Sequence, residues 1–213
     1  MLKQKHVTII DYGVGNLHSI VKAVGNFTEK VFVSEDPQAI ESADAIILPG
    51  VGSFQSGMEG LNVRNLVPSV KKYAATGKPM LGICLGAQIM LGKGFEFGEF
   101  DGLNIIHGKV IKFPVLENNE KIPHVGWNSI YPNADKIWND SILKNLDPLS
   151  SVYFVHSYIL VPENNKNIFA KTKYGGYEFC SVIRSGNIYG CQFHPEKSGK
   201  IGLEIIKNFL ELI

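Results

Sequence analysis

One stretch constrains the fold of this 213-residue chain more than any other. From Pro79 the sequence reads Met-Leu-Gly-Ile-Cys-Leu-Gly-Ala-Gln88, an apolar run ending in a cysteine set between glycines at Gly82 and Gly86. A buried strand that meets a helix through a Gly-x-Cys-x-Gly turn is a nucleophile elbow with sulfur in place of oxygen. Small flanking residues let the backbone turn sharply, so Cys84 projects from the carboxyl edge of the sheet, strained and exposed. At a helix N-terminus the macrodipole and free backbone N–H groups favour the thiolate. The N–H of Leu85 points to where an oxyanion would form.

The rest of the first half supplies such a sheet. Short β-branched runs at 6–11, 31–34 and 45–48 read as strands, and 16–26 and 66–76 as helices, the second closed by Gly77 and Pro79. Residues 80–83 are a buried strand running into Cys84. The second half changes texture. Strand-like runs at 110–113, 125–130, 152–155, 168–172, 180–184 and 188–191 are separated by Gly, Asn and Pro and read as antiparallel strands and hairpins. The turn at 184–188 is the clearest of these. A helix at 201–212 closes the chain on Ile201, Ile205, Phe209 and Leu212. The expected fold is α/β: an open, mostly parallel sheet flanked by helices, with an antiparallel extension in the C-terminal half. A chain of this length is expected to form one domain, residues 1–213. The polar stretches 117–121 and 162–167 are expected to be mobile surface loops.

Charge excludes some partners. With 21 basic and 20 acidic residues there is no electrostatic reason to expect nucleic acid or an anionic membrane. Three cysteines without a CxxC spacing argue against a disulfide framework or a zinc ribbon, and a reducing cytoplasm is the expected compartment. The apolar run before Asp11 is too short for a signal peptide, and no later run reaches the ~18 residues of a membrane span.

A cysteine nucleophile needs a base, and Gln192-Phe-His-Pro-Glu196 offers one. In an extended segment His194 and Glu196 share a face, so the carboxylate orients the imidazole that takes the thiol proton. Leu48-Pro-Gly-Val-Gly-Ser-Phe54 is a glycine-rich turn after a buried strand, whose amides at Val51 and Gly52 can supply a second oxyanion donor. A phosphate loop is the competing reading, but the Gly-Lys-Ser/Thr that would follow is missing. Cys180 and Cys191 lack flanking glycines and read as small buried hydrophobes. His124 and His156 have no metal-ligand spacing and read as structural. No cofactor and no metal are expected.

With these motifs placed, the chain resembles the class I, triad-type glutamine amidotransferases. Asp11-Tyr-Gly-Val-Gly-Asn-Leu-His-Ser19, Leu48 to Phe54, Gly82 to Gln88, Pro123-His-Val-Gly-Trp-Asn128, Phe154-Val-His-Ser-Tyr158 and Gly190 to Ser198 are similar to the glutaminase subunits of imidazole glycerol phosphate synthases. The resemblance covers essentially the whole chain. It implies hydrolysis of L-glutamine through a Cys84 thioester, with ammonia passing to a (β/α)8 cyclase subunit in a heterodimer, for histidine synthesis. It implies substrate contacts from Gly50, Gln88, Glu96, Ser157 and Tyr158. It places Asn16, Trp127, Asn128, Tyr153 and Lys197 at or near the partner interface. Asn16 also suits a helix N-cap, Trp127 and Tyr153 suit core aromatics, and Gln88 could face solvent. Two positions depart from the family: Ala87, where a bulkier Met is usual, implies an enlarged pocket wall, and 94–100 replaces an acidic, polar run. Close paralogues supply ammonia to sugar-amidating partners in surface-polysaccharide pathways, and a free-standing thiol hydrolase would use the same scaffold. No acceptor module accompanies the domain, so acceptor chemistry is expected on another polypeptide.

Overall fold

The structure, a computed structural model, describes residues 5–117, 120–133 and 138–213. Its first half alternates β1 (Val7–Ile10), α1 (Leu17–Gly25), β2 (Val31–Ser34), α2 (Pro37–Ser42), β3 (Ala45–Gly50), α3 (Phe54–Val63), α4 (Val67–Ala75), β4 (Met80–Cys84) and α5 (Leu85–Ile89). The second half continues with β5 (Lys93–Gly94), β6 (Phe100–Asp101), β7 (Gly108–Lys112), β8 (His124–Ser129), β9 (Tyr131–Pro132), β10 (Ser151–His156), β11 (Tyr158–Pro162), β12 (Ile168–Tyr174), β13 (Tyr177–Ser185), β14 (Ile188–Cys191) and α6 (Gly199–Leu210).

Among the described residues a 12-stranded sheet runs β2-β1-β3-β4-β14-β13-β11-β7-β5-β6, with β12 on β13 and β9 on β12. The strands β1 to β4 pair in parallel, and β1, β3 and β4 are buried throughout, as a sheet covered on both faces requires. The antiparallel extension starts at β13, and β8 and β10 form a separate antiparallel pair. One strand departs from expectation. Residues 188–191 do form a hairpin with β13 across Gly186 (φ 59°), but their other edge pairs in parallel with β4. The strand that leads into the His194 turn therefore lies directly beside the strand that ends at Cys84.

Local sequence accounts for the helices. Asn16 caps α1 by accepting from the Ser19 N–H, and Ile20, Ala23 and Val24 form its buried face. Asp36 caps α2 ahead of Pro37, and Ser53 caps α3. Gly77, at φ 73°, follows the last turn of α4. Both faces of the sheet carry a core. One holds Val7, Ile9, Leu81, Phe154, Tyr189 and Phe209; the other holds Ile46, Leu48, Phe54, Leu61, Met80 and Ile89. Of the expected loops, 162–167 ends in a 3-10 turn, Asn165–Asn167, capped by Asn164. The stretch 117–121 includes residues outside the described set.

Candidate active site

The elbow places Cys84 between β4 and α5 at φ 52°, ψ −107°, outside the favoured regions for an L-residue. The strain sits on the cysteine itself. Its flanking glycines answer a need for space. A methyl on Gly86 would lie 1.7 Å from the Leu48 carbonyl oxygen of β3, and one on Gly82 would lie 2.8 Å from the Ala87 nitrogen of α5. Without side chains there, helix and strands approach closely enough to push Cys84 to the sheet edge.

Cys84 is buried, at 7% exposure, and not exposed as expected, because the elbow turns it into a cavity of about 310 Å³, which also reaches Val51, Gly52, Gln88, Glu96, Pro123, Val155, His156, Ser157, Tyr158 and His194. Its sulfur lies 3.9 Å from the Val155 carbonyl and receives the Gln192 side-chain N–H at 3.9 Å. Across the cavity His194 Nδ1 lies 2.8 Å from Glu196 Oε1, with both side chains about 95% or more buried. Only the first of these residues is extended. A 3-10 turn, Pro195–Lys197, starts immediately after His194, so the contact curls across the head of a turn instead of running along one face of a strand. Ser198 fixes that turn. Its hydroxyl donates to the His194 carbonyl at 2.6 Å and accepts the Tyr153 N–H at 3.0 Å, and the His194 N–H donates to Tyr153.

With Nδ1 donating to the carboxylate, His194 Nε2 is buried and faces the cavity it shares with Cys84, the side chain that interacts with it there. Burial works against an imidazolium here, yet the sulfur of Cys84 and the Glu196 carboxylate outweigh it and hold the His194 pKa up to about 9. A base poised above its ordinary range, facing a cysteine, is what deprotonation of a thiol requires.

The glycine-rich loop leaves β3 beside this pair. Tyr12, fully buried, donates its hydroxyl to the Pro49 carbonyl at 2.5 Å and fixes the start of the loop, while Gly52 takes φ 116° before Ser53. Leu85 is the first residue of α5, so its N–H has no intrahelical acceptor and lies next to the nucleophile. Gln88 is buried and does not face solvent; its amide nitrogen donates to the Tyr158 carbonyl at 3.1 Å and to Gln192 at 3.2 Å. Glu96, on the β5–β6 hairpin, accepts the Phe54 N–H at 2.8 Å. Ser157 and Tyr158 form the far wall. Ala87 belongs to none of this. It is buried in the helix–sheet packing, close to Gly82 and Gly190, so the expected enlargement of the pocket wall is corrected: no wall stands at that position.

The residues assigned to a partner face lie on one strand pair and two neighbouring turns. Trp127 of β8 is exposed, not a core aromatic, and stands edge-on to half-buried Tyr153 of β10, 6.0 Å between centroids. Asn128 is half-buried, and Lys197 and Asn16 are exposed. The sequence reading missed Pro123, Val155 and His156 in the cavity and Ser198 behind it. His156 is the most perturbed of these. Burial pushes its pKa down to about 3, against a hydrogen bond to the Tyr158 carbonyl that favours the charged form, and the nearby His124 and His194 add to the depression. Burial also lowers the pKa of His124, opposed by Asn128 and by Glu120. A native pKa below the unfolded value of 6.5 means that the unfolded chain binds a proton the native state refuses. Stability is then complete above pH 6.5 and is lost as pH falls towards 3. We expect wild type to lose about 2 kcal/mol more than His156→Asn between pH 7 and pH 5, from the 1.36 kcal/mol per unit of proton linkage. Urea unfolding at the two pH values measures this, and equal losses would refute it.

Comparison with known proteins agrees with this geometry. The family model for glutamine amidotransferase class-I matches residues 8–212, and the chain belongs to that family. It is 48% identical over 210 residues to imidazole glycerol phosphate synthase subunit HisH 1 of Legionella pneumophila (strain Lens), covering 97% of this chain and 99% of that protein. It is 45% identical to the HisH subunit of Aquifex aeolicus, with 94% of each chain covered, and 44% identical to that of Methanosarcina barkeri, with 98% and 99% covered. The fold is shared with a chain of PurLQS from Thermotoga maritima at a TM-score of 0.71 and 19% identity, over 98% of this chain and 99% of that one.

Proposed function

We propose that this chain is the glutaminase subunit of an imidazole glycerol phosphate synthase, releasing ammonia from L-glutamine for histidine biosynthesis. The observation that carries the reading is one cavity holding an elbow cysteine and a carboxylate-oriented histidine, in a chain 48% identical to a HisH subunit. The Cys84 thiolate attacks the side-chain amide carbon of glutamine. The oxyanion that forms is met by the N–H of Leu85 and by the Val51–Gly52 amides. His194 passes the thiol proton to the departing nitrogen, and ammonia leaves with formation of a thioester. His194 then takes a proton from water, which attacks the thioester and frees glutamate, restoring the thiol. Gln88, Glu96, Gly50, Ser157 and Tyr158 hold the amino-acid end of the substrate in this scheme.

The partner is a (β/α)8 cyclase subunit docking on the face of Asn16, Trp127, Asn128, Tyr153 and Lys197, with ammonia leaving past Tyr153. We read residues 1–213 as one glutamine amidotransferase domain. The compartment is the cytoplasm, in keeping with three free cysteines; no helix among the described residues is long and apolar enough to cross a membrane.

Glutamine hydrolysis without an acceptor wastes substrate, so the isolated chain is expected to be nearly inactive. Docking of the cyclase would reorient the peptide at Val51, which is 42% exposed beside Gly52, and bring the second oxyanion donor into place. One such donor is worth about 10²- to 10³-fold in kcat, so adding a cyclase subunit with its nucleotide ligand is expected to raise hydrolysis by at least about 10²-fold. Equal activity with and without the cyclase would refute the partner. A thiol that reacts with a glutamine analogue but is not stimulated by the cyclase would point to the sugar-amidating alternative.

A further inference from the structure

His124 and His156 face each other across the β8–β10 pair, in register, and both are buried. Their ring nitrogens form an unbroken line. His156 Nδ1 lies 2.8 Å from the Tyr158 carbonyl, His156 Nε2 lies 3.1 Å from His124 Nδ1, and His124 Nε2 lies 2.7 Å from Asn128 Oδ1, while Asn128 Nδ2 donates to the Lys173 carbonyl at 3.4 Å. A carbonyl only accepts, so His156 Nδ1 must carry a proton. Around His156 stand the rings of Phe113 and Phe179, each 5.1 Å away, with no carboxylate among its hydrogen-bond partners to balance a second proton. Its Nε2 therefore presents a lone pair, which His124 must satisfy through Nδ1–H. His124 is sandwiched between Phe154 at 4.9 Å and Tyr174 at 3.9 Å, an enclosure that favours the neutral ring. Its own Nε2 is then an acceptor, so the Asn128 amide must turn over, bringing its NH₂ to that nitrogen and giving up the 3.4 Å bond to the Lys173 carbonyl.

We propose that His124 and His156 are positioning residues for the substrate pocket, forming with Asn128 a hydrogen-bond chain whose donors all point towards the Tyr158 carbonyl. That carbonyl also accepts from Gln88 Nε2, so the chain sets the position of a pocket wall and, through it, of the glutamine-contacting Gln88. The chain begins at Asn128 on one strand and ends at the cavity beside Cys84. The pair gives the loop between β10 and β11 a second hydrogen-bonded tie, where a pair of apolar residues would leave the Tyr158 carbonyl held by Gln88 alone. The role assigned to Gln88 rests on the glutaminase reading above; the direction of the chain does not.

Two measurements test it. In the chain labelled with ¹⁵N-histidine, two-bond proton–nitrogen spectra at neutral pH should show both residues as neutral rings protonated at Nδ1. An Nε2–H tautomer or an imidazolium at either position would overturn the proposal. In the complex with the cyclase subunit, His156→Leu removes the donor to Tyr158, whereas His156→Asn keeps an amide donor where Nδ1 stood. Loss of one hydrogen bond's positioning predicts that His156→Leu raises the KM for glutamine about tenfold with kcat within about threefold, and that His156→Asn restores KM to within about threefold. Equal KM in both variants and wild type, or a common fall in kcat alone, would leave only a packing role and overturn the proposal. If the wild-type complex did not hydrolyse glutamine, the glutaminase reading would fall, while the spectra would still decide the chain.

Discussion

Replacing Cys84 with alanine is expected to lower glutamine hydrolysis by the chain with its proposed cyclase partner at least about 10⁴-fold, because in the proposed mechanism every step after binding passes through its sulfur. His194 and Glu196 would remain in place, since their bond is made within the 194–197 turn and does not involve the sulfur. Glutamine should still bind, since the walls from Gln88 and Ser157–Tyr158 are untouched. Ammonia release in single-turnover and steady-state assays reads the loss, and turnover within tenfold of wild type would sink the nucleophile assignment. The same position offers a stability test. Cys84 sits at φ 52°, ψ −107°, where any side chain is strained by about 1–3 kcal/mol and glycine is not. Cys84→Gly is therefore expected to be more stable than Cys84→Ala by about 1 kcal/mol in urea unfolding. Elsewhere in a strand or helix glycine would be the less stable of the two, so the sign alone tells whether the elbow stores strain to turn its nucleophile into the cavity.

How much of this was legible in the sequence depends on the range of the interactions concerned. The parallel half could be read because strands β1, β3 and β4 are short, apolar and fully buried, and because α1 carries its own cap and α4 its stop at Gly77. Helices α2 and α3 escaped notice. The first is six residues long and buries only Ile40; the second buries Phe54, Met58 and Leu61 at helical spacing, but Gly57 and Gly60 among them read as breakers, and the start signals Asp36-Pro37 and Ser53 are the local clues. Strand β14 is legible only on one edge, because its hairpin with β13 is local, as expected, whereas its parallel pairing with β4 joins residues more than a hundred positions apart.

The site divides in the same way. Cys84 with its glycines, and His194 with Glu196, are local motifs whose chemistry follows from spacing. His156 is not. It meets His124 through the register of β8 against β10, 32 residues apart, and reaches the cavity because β10 ends beside Cys84. Ser198 lies within the last motif, but its role is set by long-range contacts, its hydroxyl sitting between the His194 carbonyl and the Tyr153 N–H. The departure at Ala87 could not be placed from sequence either, because whether an α5 residue faces the cavity or the sheet is decided by how closely the helix sits on Gly82 and Gly190.

The carboxylate that orients the base gives the second large effect. Glu196 is almost fully enclosed, and its Oε1 fixes His194 as the tautomer whose Nε2 faces Cys84. Glu196→Gln keeps the shape but removes the charge, and its NH₂ group can turn towards Nδ1 and force the opposite tautomer. By analogy with other triads, kcat should fall by about 10²- to 10⁴-fold. The change should also show in the pH profile. In the proposed mechanism the His194 imidazolium, held up to about 9 by Cys84 and Glu196, is the acid that protonates the departing nitrogen, so kcat/KM should decline as pH rises through that value. Glu196 raises this pKa, so removing its charge must lower it, and the alkaline limb must move to lower pH. A Glu196→Gln enzyme with reduced kcat and an unmoved alkaline limb would show that the carboxylate acts by packing alone. A shifted limb with a large loss of kcat would establish that it sets both the orientation and the proton affinity of the catalytic histidine.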